Sequence, residues 1–235
     1  MLEEVKKSVF ELLDKEDSGH GVDHVLRVYN LALEFAKLEG ANPLIVGLAA
    51  LLHDVDDYKI VGKEQALKLT NTRNIMNKNF VSKDIQLQVI EIIKNMGYSN
   101  YLKGVRPHTL EGMIVSDADM CDAIGANGII RSVIYAVSSK GNGVIFNKNI
   151  FPNINITALE YNNLGTTYDT DNAINHFFEK LLKLSNLMMT KSGISESLKR
   201  QEIMIQFLEE FFREENVSDW SNFLKIYLEN INCKK

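Results

Sequence analysis

The chain has 235 residues, of which 45% are hydrophobic and 24% are charged, and its formal net charge is -5 at pH 7. These values are ordinary for a folded globular protein and argue against a disordered chain. The negative balance offers no basic surface for polymeric DNA or RNA, so we expect no nucleic-acid partner of that kind.

The cysteines and the apolar stretches of the sequence indicate in which cellular compartment the protein is expected. The two cysteines, Cys121 and Cys233, cannot form a disulfide framework and lack the Cys-x-x-Cys spacing of a zinc or redox site. The chain begins with an amphipathic, charged pattern rather than the apolar core of a signal peptide. No apolar stretch approaches the roughly 20 residues that a transmembrane helix needs. We therefore expect a cytoplasmic protein that contacts no membrane.

Apolar residues recur at helical spacing along the first part of the chain. Residues 2–16 carry one apolar stripe between charges, which is typical of a surface helix, and a second helix is predicted over residues 23–39. The segment from Pro43 to Val55 is apolar nearly all round, which predicts a buried central helix. Near its polar end a histidine and an acid, His53 and Asp54, stand side by side.

Helical patterns continue, with one interruption, through the rest of the chain. We predict helices over 62–78, over 82–96 with Ser82 as the N-cap, from Thr109 to about Gly125, over 126–138, from an Asp171 cap through Leu187, over about 195–213 and over 218–230. Residues 139–170 lack periodicity and are rich in Asn, Gly and Thr, so we interpret them as a functional loop and a candidate lid. No β-hairpin or repeat signal is present.

The fold class that these patterns predict is all-α. We expect one helical domain, with a core at about 20–138, the irregular loop at 139–170 and C-terminal helices over 171–231.

Three separate apolar segments carry histidines and acids that suit a metal ion. His24 lies in the second predicted helix, His53 and Asp54 end the central one, and Asp119 lies in the segment Ile-Val-Ser-Asp-Ala-Asp-Met. Neutral imidazole nitrogens and carboxylate oxygens are ligands that divalent cations accept. Because such a site needs about four to six donors, no one segment is sufficient. We predict one mixed nitrogen and oxygen site where the three segments meet.

The order of these residues resembles that in the HD-domain metal-dependent phosphohydrolases, and in particular their bacterial YpgQ/YedJ-like branch. The stretches that carry the resemblance are Gly19–Val28, Leu51–Lys59, Glu111–Ala126 and Asn175–Leu184. The resemblance implies an HD-domain helical bundle with one divalent ion, which is manganese, magnesium, cobalt or iron. It also implies the metal ligands, which are His24, His53, Asp54 and Asp119. Such an ion polarises a phosphoryl oxygen and lowers the pKa of the attacking water.

The same resemblance suggests a catalytic role for Asp57 beside His53 and Asp54. Asp57 follows these two residues by four and three positions, so it shares their face if the helix continues. Its position resembles that of the acid that handles the nucleophilic water in related enzymes. The alternative is a helix cap or an ion pair with Lys59.

Further candidates surround the predicted ligands. Asp122 stands three residues after Asp119 on one helix face, whereas Asp117 should point elsewhere, so Asp122 is predicted to support a ligand or to bind a sugar. The cations that can neutralise phosphate are Lys59, Arg27 and Arg131, although both arginines can also be structural ion pairs. Two more histidines, His20 and His176, are interpreted as residues that support the site without binding the metal. Met96 stands where many relatives carry a histidine, so we expect one metal rather than two.

The resemblance implies hydrolysis of a small phosphorylated molecule, most specifically cleavage of a nucleoside triphosphate into monophosphate and pyrophosphate. The alternatives on the same site are a nucleoside 5′-monophosphatase and a phosphodiesterase. From a different class, the chain is a ligand-binding or regulatory module whose metal is structural. An oxygenase on a related scaffold is more distant, because its di-iron site needs further histidines. A homodimer is one assembly that the resemblance allows.

Overall fold

The computed structural model describes residues 1–13, 21–57, 61–138, 141, 143–155 and 172–232. Within these ranges the regular elements are helices and no strand occurs, which confirms the all-α prediction. They are α1 (Leu2–Leu13), α2 (Val22–Glu39), α3 (Pro43–Leu52), α4 (Lys63–Lys68), α5 (Thr70–Lys78), α6 (Lys83–Asn95), α7 (Tyr98–Leu102), α8 (Leu110–Asp122), α9 (Gly125–Val137), α10 (Ala173–Glu179), a 3₁₀ helix (Leu181–Leu187), α11 (Lys191–Glu214) and α12 (Ser218–Asn232). No single helix in the described ranges is both long enough and apolar enough to cross a membrane.

The chain divides into two compact units. The first comprises residues 1–122 and 188–193, and the second comprises residues 123–187 and 194–235. The single domain expected from the sequence therefore stays a prediction.

The centre of the first unit is α3. Eight of its ten residues are buried, and α1, α2, α6 and α8 pack around it, which confirms the buried central helix. Its start is well determined, since the Asn42 side chain accepts a hydrogen bond from the Leu44 amide and Pro43 occupies the first turn. Gly47 allows close packing, because a Cβ at this position would lie 3.1 Å from the Leu2 methyl groups.

Two of the predicted helices are divided differently in the structure. The helix expected over 62–78 breaks at Leu69, whose backbone is left-handed (φ 50°) and whose side chain is buried. Burial of this leucine offsets the strain of the break. The helix expected to run to Leu187 stops at Glu179 and is followed by the 3₁₀ helix. Asp171, its predicted cap, lies outside the described residues, and the Asn172 side chain accepts the capping bond from the Asn175 amide.

Aromatic side chains form the core of the second unit. The rings in mutual contact are Phe146, Phe151, Phe177, Phe178, Phe207, Phe211, Phe212, Trp220, Phe223 and Tyr227. Trp220 is almost completely buried, its ring stacks on Phe151 at 4.5 Å, and its Nε1 donates to the Lys148 carbonyl at 3.0 Å. These contacts attach residues 143–155 to the core of this unit. The predicted lid function stays a prediction, and residues 156–170 lie outside the described ranges.

Candidate metal centre

His53 lies at the point where the apolar helix α3 ends. Its ring Nδ1 is 2.8 Å from the carbonyl oxygen of Ala50, one of the last-turn carbonyls that have no partner within the helix. A carbonyl can only accept a hydrogen bond, so Nδ1 carries the proton and donates. The opposite nitrogen of the neutral ring, Nε2, is then left with a lone pair. The helix end thus selects the tautomer that suits a metal ligand.

His24 is oriented in the same way from α2, this time by a carboxylate. Its Nδ1 is 2.6 Å from Oδ2 of Asp122 at the end of α8, and both residues are buried. Arg27 donates from Nε to the other oxygen of Asp122 at 2.6 Å and from a terminal nitrogen to Oδ2 at 3.0 Å. Asp122 therefore holds His24 with its Nε2 directed away from the carboxylate.

The Nε2 atoms of the two rings face each other together with two carboxylates. The two Nε2 atoms are 3.2 Å apart. Oδ2 of Asp54 lies 3.3 Å from the Nε2 of His24 and 3.4 Å from that of His53. Oδ1 of Asp119 lies at 3.5 Å and 3.8 Å from the same two atoms. The structure thus brings these four residues together, and their role as metal ligands stays a prediction.

This donor set fits one divalent ion. Donors bound at about 2.1 Å to one ion are about 3 to 4 Å apart. The two Nε2 atoms are separated from each other and from the two carboxylate oxygens by 3.2 to 3.8 Å. His24, His53 and Asp119 offer ligand atoms that all lie within 4.8 Å of one another. Two nitrogen lone pairs and two carboxylate oxygens repel one another unless a positive charge lies between them. The side chain of Asp119 is 26% exposed, so the cluster is accessible from solvent on that side. A site of this kind leaves coordination positions for water or substrate.

The electrostatics of the cluster favour a cation. Burial by itself lowers the pKa of His24, but the hydrogen bonds of Asp122 and Asp54 and the charges of Asp54 and Asp119 raise it to about 9. Burial also raises the pKa of Asp122, yet the hydrogen bonds from His24 and Arg27 outweigh this and hold its pKa well below the usual range. The surroundings therefore stabilise a positive charge at this point, whether a proton or a metal ion supplies it.

Asp117 points away from the cluster, as the helical spacing predicted. Its carboxylate accepts hydrogen bonds from the amides of Met189 and Thr190 and from the Thr190 hydroxyl. Asp122 has no exposed carboxylate edge, and both of its oxygens are bonded to His24 or Arg27. This placement fits support of a ligand better than contact with a sugar.

The helical argument for Asp57 fails. The helix α3 ends at Leu52, although His53 keeps helical dihedral angles. Residues 53–56 form a turn, and the Asp57 amide donates to the Asp54 carbonyl at 3.1 Å. Asp57 is half-buried at the end of this turn, and its role stays a prediction.

The other predicted site residues have separate outcomes. Lys59 and His20 lie outside the described residues. Arg131 on α9 and His176 on α10 belong to the second unit. Burial and the charge of nearby Lys180 lower the pKa of His176 to about 3, so this histidine is neutral. Arg27 forms the ion pair with Asp122 that was its structural alternative, and its side chain remains 38% exposed.

Sequence reasoning missed the role of Asp56, which fixes the turn after His53. Its buried carboxylate accepts hydrogen bonds from the Asn71 amide at 2.9 Å and the Thr72 amide at 2.8 Å in the first turn of α5. Asn71 in return donates from its side chain to the Val55 carbonyl at 2.9 Å. Leu69, the residue in the N-cap position, has no side chain able to cap. This lack of a local cap is the signal that could have pointed to a distant one.

Comparison with known proteins identifies a family. The HD domain model matches residues 21–124. YpgQ of Bacillus subtilis is 32% identical over 207 residues, which cover 88% of this chain and 89% of YpgQ.

Solved structures agree with this match. A protein from Lactobacillus plantarum is 34% identical with a TM-score of 0.76, covering 92% of this chain and 96% of its own. An HD-superfamily hydrolase from Bacillus thuringiensis is 31% identical with a TM-score of 0.70, and the match covers 92% of this chain and 97% of that hydrolase. The structure of Bacillus subtilis YpgQ in complex with ADP has 27% identity and a TM-score of 0.68, and the match covers 91% of this chain and 97% of YpgQ. The chain therefore belongs to the HD-domain superfamily of metal-dependent phosphohydrolases, with YpgQ among its relatives.

Proposed function

We propose that this phosphohydrolase cleaves a nucleoside triphosphate into the monophosphate and pyrophosphate, using one divalent ion held by His24, His53, Asp54 and Asp119. The observation that carries the proposal is the convergence of two histidine lone pairs and two carboxylate oxygens in one solvent-accessible cluster. The complex of YpgQ with ADP supports a nucleotide as the ligand.

The reaction is a hydrolysis in which water attacks the α-phosphorus. A bond forms between the water oxygen and this phosphorus, the bond to the oxygen bridging the α- and β-phosphorus breaks, and pyrophosphate leaves with that oxygen. When bound, the divalent ion supplies Lewis-acid stabilisation of the phosphoryl oxygens and lowers the pKa of water.

The side chains of this protein orient the donors and neutralise the substrate. The Ala50 carbonyl and Asp122 fix the rings of His53 and His24, so neither ring must reorient during a turnover. Arg27 uses two of its nitrogens for Asp122, and its exposed part is a candidate phosphate contact. The family resemblance adds Lys59 as a second candidate for this role. Asp57 is the candidate base for the attacking water.

The products decide between this function and its alternatives. We would incubate the full chain with nucleoside triphosphates and Mn²⁺, Mg²⁺ or Co²⁺ in oxygen-18 water, and separate monophosphate, diphosphate, phosphate and pyrophosphate by anion exchange. We expect intact pyrophosphate and the label in the monophosphate. Stepwise release of phosphate would contradict the proposal and favour a monophosphatase.

A matched pair of histidine variants tests whether the cluster is responsible. His24→Ala should lose bound metal and activity. The control is His108→Ala, because His108 is an exposed histidine of the same unit that pairs with Glu91 at 3.1 Å. It should retain both metal and activity, and equal losses in the two variants would argue against the assigned site.

A further inference from the structure

Asp117 and Asp119 lie two residues apart on α8 and face in opposite directions. Successive residues of an α-helix are rotated by about 100°, so these two side chains are separated by about 200° around the axis. Asp117 is completely buried, whereas the side chain of Asp119 is 26% exposed at the metal centre. The two acids of this segment therefore have different surroundings.

The buried carboxylate is bound by a segment that lies far away along the chain. Both oxygens of Asp117 lie 3.0 Å from the Met189 amide, and Oδ2 also accepts from the amide of Thr190 at 2.8 Å and from its hydroxyl at 2.7 Å. The Thr190 hydroxyl in turn accepts from the Gly193 amide at 3.0 Å. Asp117 thus joins α8 to the residues that begin α11.

Gly193 packs directly against the Asp117 carboxylate. A Cβ atom at this position would overlap the Asp117 carboxylate, so only glycine permits the observed packing. The Gly193 carbonyl also lies 3.9 Å from Sγ of Cys121, one turn further along α8. Residues 188–193 are therefore fitted closely against the face of α8 that is opposite Asp119.

We propose that Asp117 is a positioning residue, which locks the rotation of α8 against residues 188–193 and thereby directs Asp119 towards the metal. The inference rests on the proposed role of Asp119 as a ligand. A binding constellation must be held within about 10–20° of its working geometry, and loss of a partner behind a ligand typically weakens metal binding by about 10- to 100-fold. A buried anchor with several hydrogen bonds is suited to this purpose.

The structure provides a matched control in Glu39. Its carboxylate accepts from the Ser192 amide at 2.7 Å, so it also binds the beginning of α11. Glu39 is the last residue of α2, however, and lies fifteen residues along the chain from His24. Both acids hold the same helix start, and only Asp117 neighbours a predicted ligand on its own helix.

The test compares Asp117→Asn with Glu39→Gln in the full chain. We would measure the Kd for Mn²⁺, the melting temperature without metal, and kcat and KM. Both variants should melt at lower temperature, but only Asp117→Asn should raise the Kd for Mn²⁺, by about 10- to 100-fold. An unchanged Kd in Asp117→Asn, or equal changes in both variants, would overturn the proposal.

A second series tests the same contact without changing an acid. Thr190→Val removes the hydroxyl that donates to Asp117, whereas Thr190→Ser keeps it, so the first should weaken Mn²⁺ binding and the second should restore it. Gly193→Ala should weaken it as well, because the methyl group displaces the carboxylate. Normal affinity in both Thr190→Val and Gly193→Ala would overturn the proposal. Since Mn²⁺ binding is measured without substrate, a protein that binds Mn²⁺ but cleaves no triphosphate would contradict the proposed function alone.

Discussion

At the scale of single residues, the Nε2 atom of each candidate histidine ligand is oriented by the hydrogen bond at the Nδ1 atom of the same ring. His53 donates to a carbonyl that its own helix leaves without a partner, and His24 donates to Asp122. A neutral imidazole carries only one proton, so these bonds leave the lone pair of each neutral ring on the Nε2 that faces the cluster. The protein thereby prevents the tautomers that could not bind a metal.

Metal binding should release a proton from His24. Its pKa of about 9 means that the metal-free protein carries the imidazolium near neutral pH. Because this pKa is raised above the value of 6.5, the charged ring stabilises the metal-free fold fully below pH 6.5, and this contribution is lost as the pH rises through about 9. Calorimetric titration with Mn²⁺ in two buffers of different ionisation enthalpy should show release of about one proton per ion. Identical heats in the two buffers would show that His24 is already neutral.

Asp57 should act on water rather than on the metal. It lies at the end of the turn that carries His53 and Asp54. The group His24, His53 and Asp119, whose ligand atoms lie within 4.8 Å of one another, does not include it. Asp57→Asn should keep the metal but slow kcat by about 10²- to 10⁴-fold through loss of general acid/base help, with a smaller change in KM. Metal titration beside the kinetics is the deciding measurement. If metal and activity fall in proportion, Asp57 is a ligand, and if kcat is nearly normal, Asp57 has a structural role only.

At the scale of elements, capping carboxylates connect segments that are distant along the chain. Asp56 binds the first turn of α5, and Asp117 and Glu39 bind the beginning of α11. Each of these carboxylates pairs with backbone amides that a helix leaves without an internal partner. The turn that carries His53 and Asp54 and the helix that carries Asp119 are thereby attached to their neighbours.

Removal of the Asp56 carboxylate should destabilise the protein measurably. Asp56→Ala leaves the Asn71 and Thr72 amides without their acceptor, and a buried donor left without a partner costs about 1–3 kcal/mol. Urea unfolding of the metal-free protein measures the difference. Asp84→Ala is the control, because it removes an acid from the first turn of α6 that contacts no described amide of another helix. Equal stability of Asp56→Ala and wild type would show that α5 needs no cap.

At the scale of the whole molecule, the four converging donors lie in one compact unit. This unit is built on α3, whereas the other unit has an aromatic core around Trp220. Residues 143–155 are attached to that aromatic core by ring contacts and by the bond from Trp220 to Lys148. The described part of the irregular segment therefore contacts the aromatic core through a few side chains, while most of its residues are exposed.

Metal should stabilise the folded protein, because the donors converge only in the native state. A ligand present at one hundred times its Kd adds about 2.7 kcal/mol to the free energy of unfolding. Thermal or urea unfolding with and without Mn²⁺ should show this gain in wild type and in His108→Ala. It should be absent in Asp119→Ala, and a gain retained there would exclude Asp119 as a ligand.

Local spacing was sufficient to predict the all-α fold, the buried helix beginning at Pro43 and the candidate donors. Helical periodicity is a property of residues that are close in the sequence, so it can be recognised before any tertiary contact is known. The same local rule separated Asp117 from Asp119 on opposite faces of α8. The family resemblance then implied which segments meet, and the structure places their donor atoms within 3.2 to 3.8 Å of one another across the histidine nitrogens.

Only the tertiary structure decided the features that depend on residues far apart along the chain. The break at Leu69, the end of α3 before His53 and the capping role of Asp56 were not predicted. The apolar periodicity continues through these positions, so it does not indicate that the helices end there. At the start of α5 the backbone amides of Asn71 and Thr72 donate to the distant Asp56 carboxylate instead of to a carbonyl of a continuous helix. The orientation of the His24 ring is decided similarly, since its partner Asp122 is ninety-eight residues away along the chain and reaches the ring only after α2 and α8 have packed.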